Sequence, residues 1–158
     1  MGQYLEKGYF PFTTEPDFLI KLNTALNNVI EIDLAKIENL SQNKIHEIKQ
    51  VLGVIAKSVP FKPNISKLSQ KLNISRDIIL SIIYLLEKAK TINLLQVDNK
   101  GISKLQKPDK IYLENTNFMY ALKDQPDIGN IRETFFYNQL KNAEHTILYS
   151  KSRGFNGT

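Results

Sequence analysis

Apolar residues recur at helical intervals over most of the chain, and the pattern changes character beyond Thr91. Phe18, Leu19, Leu22, Ala25, Leu26 and Val29 share one face after Pro16, which predicts a helix with proline at its start. Ser41 or Asn43 opens another, with Ile45, Ile48, Leu52 and Ile55 inward, and Pro60 and Pro63 end it. Pro63-Asn64 then starts a helix carrying Ile65, Leu68 and Leu72. Asn73-Ile74-Ser75 reads as a tight turn. Asn tolerates the left-handed conformation, and the Ser75 hydroxyl can cap the helix that follows. That helix carries Ile78, Ile79, Ile82, Ile83 and Leu86 as a stripe. Further on, Leu94, Leu95 and Val97 read as a strand, Asp98 to Gly101 as a turn, and Ile111 to Leu113 as a returning strand. Asn115-Thr116 starts a short helical turn through Phe118 and Leu122, Pro126 to Asn130 is a break, a helix runs from about Ile131 to Asn142, and Thr146 to Ser150 reads as a strand.

A helix, a turn, a second helix and a two-stranded hairpin make the pattern of a winged helix-turn-helix, ordinarily a DNA-binding module. The expected fold is mainly α with a small β wing, an α+β chain. Residues 1–58 form a helical segment, 59–113 the winged helix, and 114–158 the beginning of an incomplete α/β domain. A lone strand leaves its backbone groups unpaired. The chain is therefore expected to end inside, or at the edge of, a further domain, as a piece of a longer protein would.

The second helix of that pattern should present polar and basic side chains to a DNA groove. Between Arg76 and Lys88 seven positions are Ile or Leu, and Leu80 and Leu85 lie off the main stripe. Asp77 and Glu87 would repel phosphates. A roughly 100° stripe suffices for one core, so the surplus predicts a second protein contact through Leu80, Tyr84 and Leu85, with another chain or a second copy of this one. The competing expectation is nucleic acid. Lys100, Lys104, Lys107 and Lys110 crowd the wing, where Lys67, Lys71 and Arg76 could join them on phosphates. The same wing lysines also suit an exposed hairpin whose edge must stay soluble.

Composition narrows the field. Apolar residues make up 42% and charged residues 23% of the 158, as in a globular chain. There is no cysteine, which excludes disulfides and thiolate metal sites. No apolar run approaches a membrane span, and no basic segment followed by an apolar core opens the chain, so a cytoplasmic setting is expected. A formal charge of +5 permits nucleic-acid binding without requiring it.

Several motifs in fixed order resemble a known family. They are Tyr4-Leu5-x-x-Gly8-Tyr9-Phe10-Pro11, Lys107-Pro108-x-Lys110-Ile111-Tyr112, the segment Asn117 to Leu122, and Gly129-Asn130-x-x-Glu133 followed by Leu140. Together they look like the C-terminal region of prokaryotic AAA-type P-loop ATPases. The resemblance implies an ATPase core before residue 1, which would hold ATP and Mg²⁺ and against which this chain would dock as a non-catalytic accessory module. No G-x-x-x-x-G-K-[ST] occurs in this sequence, so no cofactor is expected on this chain itself. The resemblance also implies a last domain like restriction-endonuclease folds, whose first-helix acidic residue matches Glu133. Its companion Asp and Glu-x-Lys would fall after residue 150, so the chain by itself is expected to be no nuclease and to have no catalytic residue.

Glu133 has a plainer reading, as the reach-back partner of Asn130 in a capping box. His46 and His145 lack companions at ligand or triad spacing. Glu31, Asp33 and Glu38 read as a solvated face.

Overall fold

The computed structural model describes residues 16–96, 107–122, 125–143 and 147. The opening motif, Val97, the Asp98–Gly101 turn, Lys100, Lys104, His145 and most of the Thr146–Ser150 strand lie outside them. The described chain is mainly helical, with one two-stranded antiparallel sheet.

Helix α1 (Phe18–Asn28) continues through a π-helical segment (Val29–Leu34) into a short helix α2 (Ala35–Glu38). Phe18, Leu22, Leu26, Ile30 and Leu34 are buried at four-residue steps. Four residues overshoot an α turn of 3.6, so such a row drifts around the helix. The wider turn of the π segment takes up the drift and keeps Ile30 and Leu34 facing inward. Leu19 was expected on this face and is 39% exposed. It lies one residue, about 100°, past Phe18. Asn39 ends α2 in the left-handed conformation, with φ 50°.

Helix α3 (Gln42–Lys57) is capped by Ser41, whose Oγ accepts the Lys44 N–H at 3.3 Å. Helix α4 (Ile65–Leu72) is capped by Asn64, whose Oδ1 accepts the Lys67 N–H at 3.0 Å. Asn73 takes φ 54°, and Ser75 caps helix α5 (Arg76–Lys88) by accepting the Ile78 N–H at 3.3 Å. The turn therefore uses the residues that its sequence predicts. Strands β1 (Ile92–Leu95) and β2 (Lys110–Leu113) pair antiparallel, with Ile92 opposite Leu113 and Leu95 opposite Lys110. Phe61 exchanges backbone bonds with Ile111 at 2.9 and 2.8 Å, so β2 is flanked on both sides.

Helices α6 (Thr116–Leu122) and α7 (Ile128–Asn142) follow. The sequence places a break at Pro126–Asn130 and makes Asn130 a cap. The structure corrects both. Asp127 is the cap, accepting the Asn130 N–H at 3.0 Å, and α7 begins three residues earlier than expected. A Cβ at Gly129 would lie 3.0 Å from that Asp127 carboxylate, so glycine here leaves room for the cap.

One core runs from Leu26 to Ile131 and draws residues from all three expected segments. Ile48, Ile55, Ile79, Ile82, Ile83, Leu86, Ile92, Ile111 and Leu113 are sealed within it. Leu95, Tyr112 and Tyr137 form a second, smaller cluster, against which Ile147 packs. Full burial of an aliphatic side chain is worth about 1.5–3 kcal/mol. Ile83→Ala should therefore lower unfolding free energy by about 2–5 kcal/mol, and Ser75→Ala by about 0.5–2 kcal/mol. Ile20→Ala, at a 67% exposed position, should change it by less than about 0.5 kcal/mol. Urea titration followed by circular dichroism checks all three.

Candidate interaction surfaces

The surplus apolar residues of α5 find their neighbours within the chain. Leu80 and Leu85 are half-buried and pack against the main core, at opposite edges of the sealed stripe. What remains outward is a strip of exposed Asp77, Ser81 and Lys88 with half-buried Tyr84 among them, spaced by four, three and four residues. Lys88 is paired with Glu38 at 2.6 Å. Gln96 donates to the Tyr84 hydroxyl at 2.9 Å, and the Ser81 hydroxyl donates to the Asp77 carbonyl. The outer face of α5 is thus polar with both signs of charge. The expectation that Leu80 and Leu85 are surplus to the chain's own core is corrected, because α3, α4 and β1 all close on this helix from the same molecule.

The predicted lysines divide into two kinds. Lys67, Lys71 and Arg76 are exposed, and none forms an ion pair among the described residues. Lys107 is exposed as well. Lys110 is occupied: it pairs with Glu133 at 2.5 Å and sits 5.9 Å from the Tyr112 ring centre. The structure therefore brings Lys110 and Glu133 together and sets them apart from Lys67, Lys71 and Arg76 as open charges.

Glu133 does not reach back to cap α7. Its Oε1 accepts from Lys110 and, at 2.8 Å, from the Tyr112 hydroxyl. Burial, the largest single influence, pushes its pKa up, but the hydrogen bonds from Lys110 and Tyr112, with the charges of Lys110 and Lys62, together hold it below the ordinary carboxylate value. Among the described residues no three His, Asp or Glu side chains converge as metal ligands. His46 is exposed on α3.

A polar layer that sequence reasoning missed joins α7 to the sheet. Asn93 donates to Asn138 Oδ1 at 3.0 Å, and Asn138 donates to the carbonyls of Leu113 and Glu114 at 3.1 and 2.8 Å. Lys141 donates to Asn93 Oδ1. Tyr137 stacks on Tyr112 with ring centres 4.1 Å apart, and its hydroxyl donates to the Leu94 carbonyl at 3.1 Å. Burial, then the nearby Glu87 and Glu114 charges, push the Tyr137 pKa up to about 12. Glu114 stands beside this layer with a buried, unbonded Oε2. Burial raises its pKa against the opposing charges of Lys141 and Lys90. The one visible sign was Asn93, a polar residue inside an otherwise apolar strand.

Residues 2–128 match the family described as Domain of unknown function (DUF8612). The chain belongs to that family. No curated protein and no solved structure matches it. The DUF8612 match covers α1 to α6 and stops at Ile128, the first residue of α7, so the partners that α7 supplies to the polar layer lie beyond it. Among the described residues of this DUF8612 chain, no helix is long and apolar enough to cross a membrane.

The two glutamates should respond oppositely to pH. A raised pKa means that folded Glu114 holds its proton longer than the unfolded chain does, so its ionisation lowers stability as pH rises from 4.5 through the folded value. A lowered pKa means that Glu133 stabilises at neutral pH and loses that effect as pH falls below 4.5. Glu114→Gln should therefore gain stability at pH 7, and Glu133→Gln should lose it. Both differences should shrink toward pH 3, as read from urea midpoints across that range.

Proposed function

We propose that this chain is a non-catalytic winged-helix accessory and protein-interaction region that works in the cytoplasm beside an AAA-type ATPase module. Element order supports the winged helix. Helix α3, the bridging residue Phe61, α4, α5, β1 and β2 follow one another, and β2 lies between Phe61 and β1. On this reading α3 is the first helix of the module, so the module begins near Gln42 rather than at residue 59. β1 and β2 would be the strands of the wing.

The outward strip of α5 carries the proposal. In a DNA-reading winged helix this face supplies base and phosphate contacts. Here it offers Asp77, Ser81, Tyr84 and a lysine already neutralised by Glu38. A carboxylate pointed at the groove opposes phosphate, whereas a mixed strip centred on a tyrosine suits a protein surface. The ATPase is supported by the sequence resemblance alone. The sequence carries no phosphate loop, and Glu133, the residue matched to a metal-holding position, is bonded to Lys110 and Tyr112. ATP and Mg²⁺ would belong to the partner module, whether carried by the same polypeptide or by another.

The alternative is a DNA-binding regulator that uses the wing lysines. Its support is the open charge of Lys67, Lys71, Arg76 and Lys107. Fluorescence anisotropy with a labelled 20-base-pair duplex, at about 50 and 200 mM salt, separates the two. The accessory reading expects only nonspecific affinity, with Kd of about 10⁻⁴–10⁻⁶ M at physiological salt. A Kd near 10⁻⁸ M that Arg76→Ala and Lys107→Ala abolish would overturn it. In the positive arm, the chain should co-purify with an AAA-type ATPase encoded in or beside its own reading frame. Ser81→Trp and Tyr84→Ala should disrupt that association while leaving the circular dichroism spectrum unchanged.

A further inference from the structure

A second surface lies away from the α5 strip. Asn64, Lys67, Leu68 and Lys71 fall at steps of three, one and three residues, which places them on one face of α4. That face borders a depression of about 200 Å³. Val54 from α3, Phe61 and Leu68 supply its apolar wall, and Lys62, Lys67 and Lys71 stand around it. Among the described residues no carboxylate lines it. None of the three lysines forms an ion pair among the described residues. Glu133, whose charge reaches Lys62, is already bonded to Lys110 and Tyr112.

We infer that this groove between α3 and α4 binds a short acidic peptide segment that inserts one apolar side chain. The lysines provide the charge complement, and the apolar wall provides the anchor. A protein cavity of about 150 Å³ accepts a benzene-sized group, so the depression is large enough for one leucine or phenylalanine. The lysine-bearing face spans about 10 Å along α4. That equals about three residues of extended chain, enough to set carboxylates on either side of the anchor. Nucleic acid fits less well. Base stacking requires an aromatic ring laid open, and Phe61 is half-buried and packed on the core. The inference does not depend on an ATPase partner or on α5.

The test is selection of a random octapeptide phage library on the intact chain, followed by fluorescence polarisation with the enriched peptides. The expected peptides carry one leucine, isoleucine or phenylalanine flanked by Asp or Glu. Their affinity should fall at least tenfold with the double variant Lys67→Glu, Lys71→Glu, and at least tenfold when the apolar residue becomes alanine. These lysines are exposed, so the variant should melt like the parent protein. The inference fails if the enriched peptides lack acidic residues. It fails equally if they bind the double variant as well as the parent, or if a twelve-nucleotide single strand binds the same lysines more tightly than any peptide.

Discussion

Burial of α5 is the constraint on which the rest of the structure depends. Ile79, Ile82, Ile83 and Leu86 are closed to water, and no single neighbour could cover an arc that also takes in Ile78, Leu80 and Leu85 at its edges. The chain answers by bringing α3, α4 and β1 onto the same helix. The remaining elements complete that packing. The row from Leu26 to Ile30 joins through the π segment, and β2 is held between β1 and Phe61. Hydrophobic burial is nondirectional, so the caps and turns do the aiming. Ser41, Asn64, Ser75 and Asp127 each fix where a helix starts.

Polar chemistry attaches α7 to this frame. A buried amide without partners is costly, and Asn138 meets that demand by bonding Asn93, Leu113 and Glu114 together. The stacked Tyr112 and Tyr137, both buried, lie beside it. Lys110 and Glu133 close the same contact on its solvent side. One interface thus combines an amide network, an aromatic stack and an ion pair. Directional bonds of these kinds fix register more tightly than aliphatic contact does.

This arrangement also sorts the cations. Lys88, Lys110 and Lys141 are engaged in holding elements together, while Lys67, Lys71 and Arg76 remain available. The formal charge of +5 is therefore a poor guide to where an anionic partner would meet the chain. The open charges include Lys62 before α4, Lys67 and Lys71 on it, Arg76 at the start of α5 and Lys107 before β2, and the outer strip of α5 is electrostatically mixed.

Local features were legible in the sequence. Helical periodicity and the Asn73–Ser75 turn follow from residues within a few positions of one another, because capping and side-chain direction are short-range effects; the two strands were legible only as separate apolar runs, since Leu95 meets Lys110 and Ile92 meets Leu113 well beyond that range. The start of α7 was misplaced because Asn130 also suits a cap; the structure uses Asp127, and the room at Gly129 permits it. Tertiary structure alone decided which face of α5 stays outside, that Lys110 is matched with Glu133 across 23 residues, and that Asn93 meets Asn138 across 45. Those choices depend on how separate elements pack. A periodic apolar pattern states how much surface must be buried, and it carries no information about which neighbour will cover it.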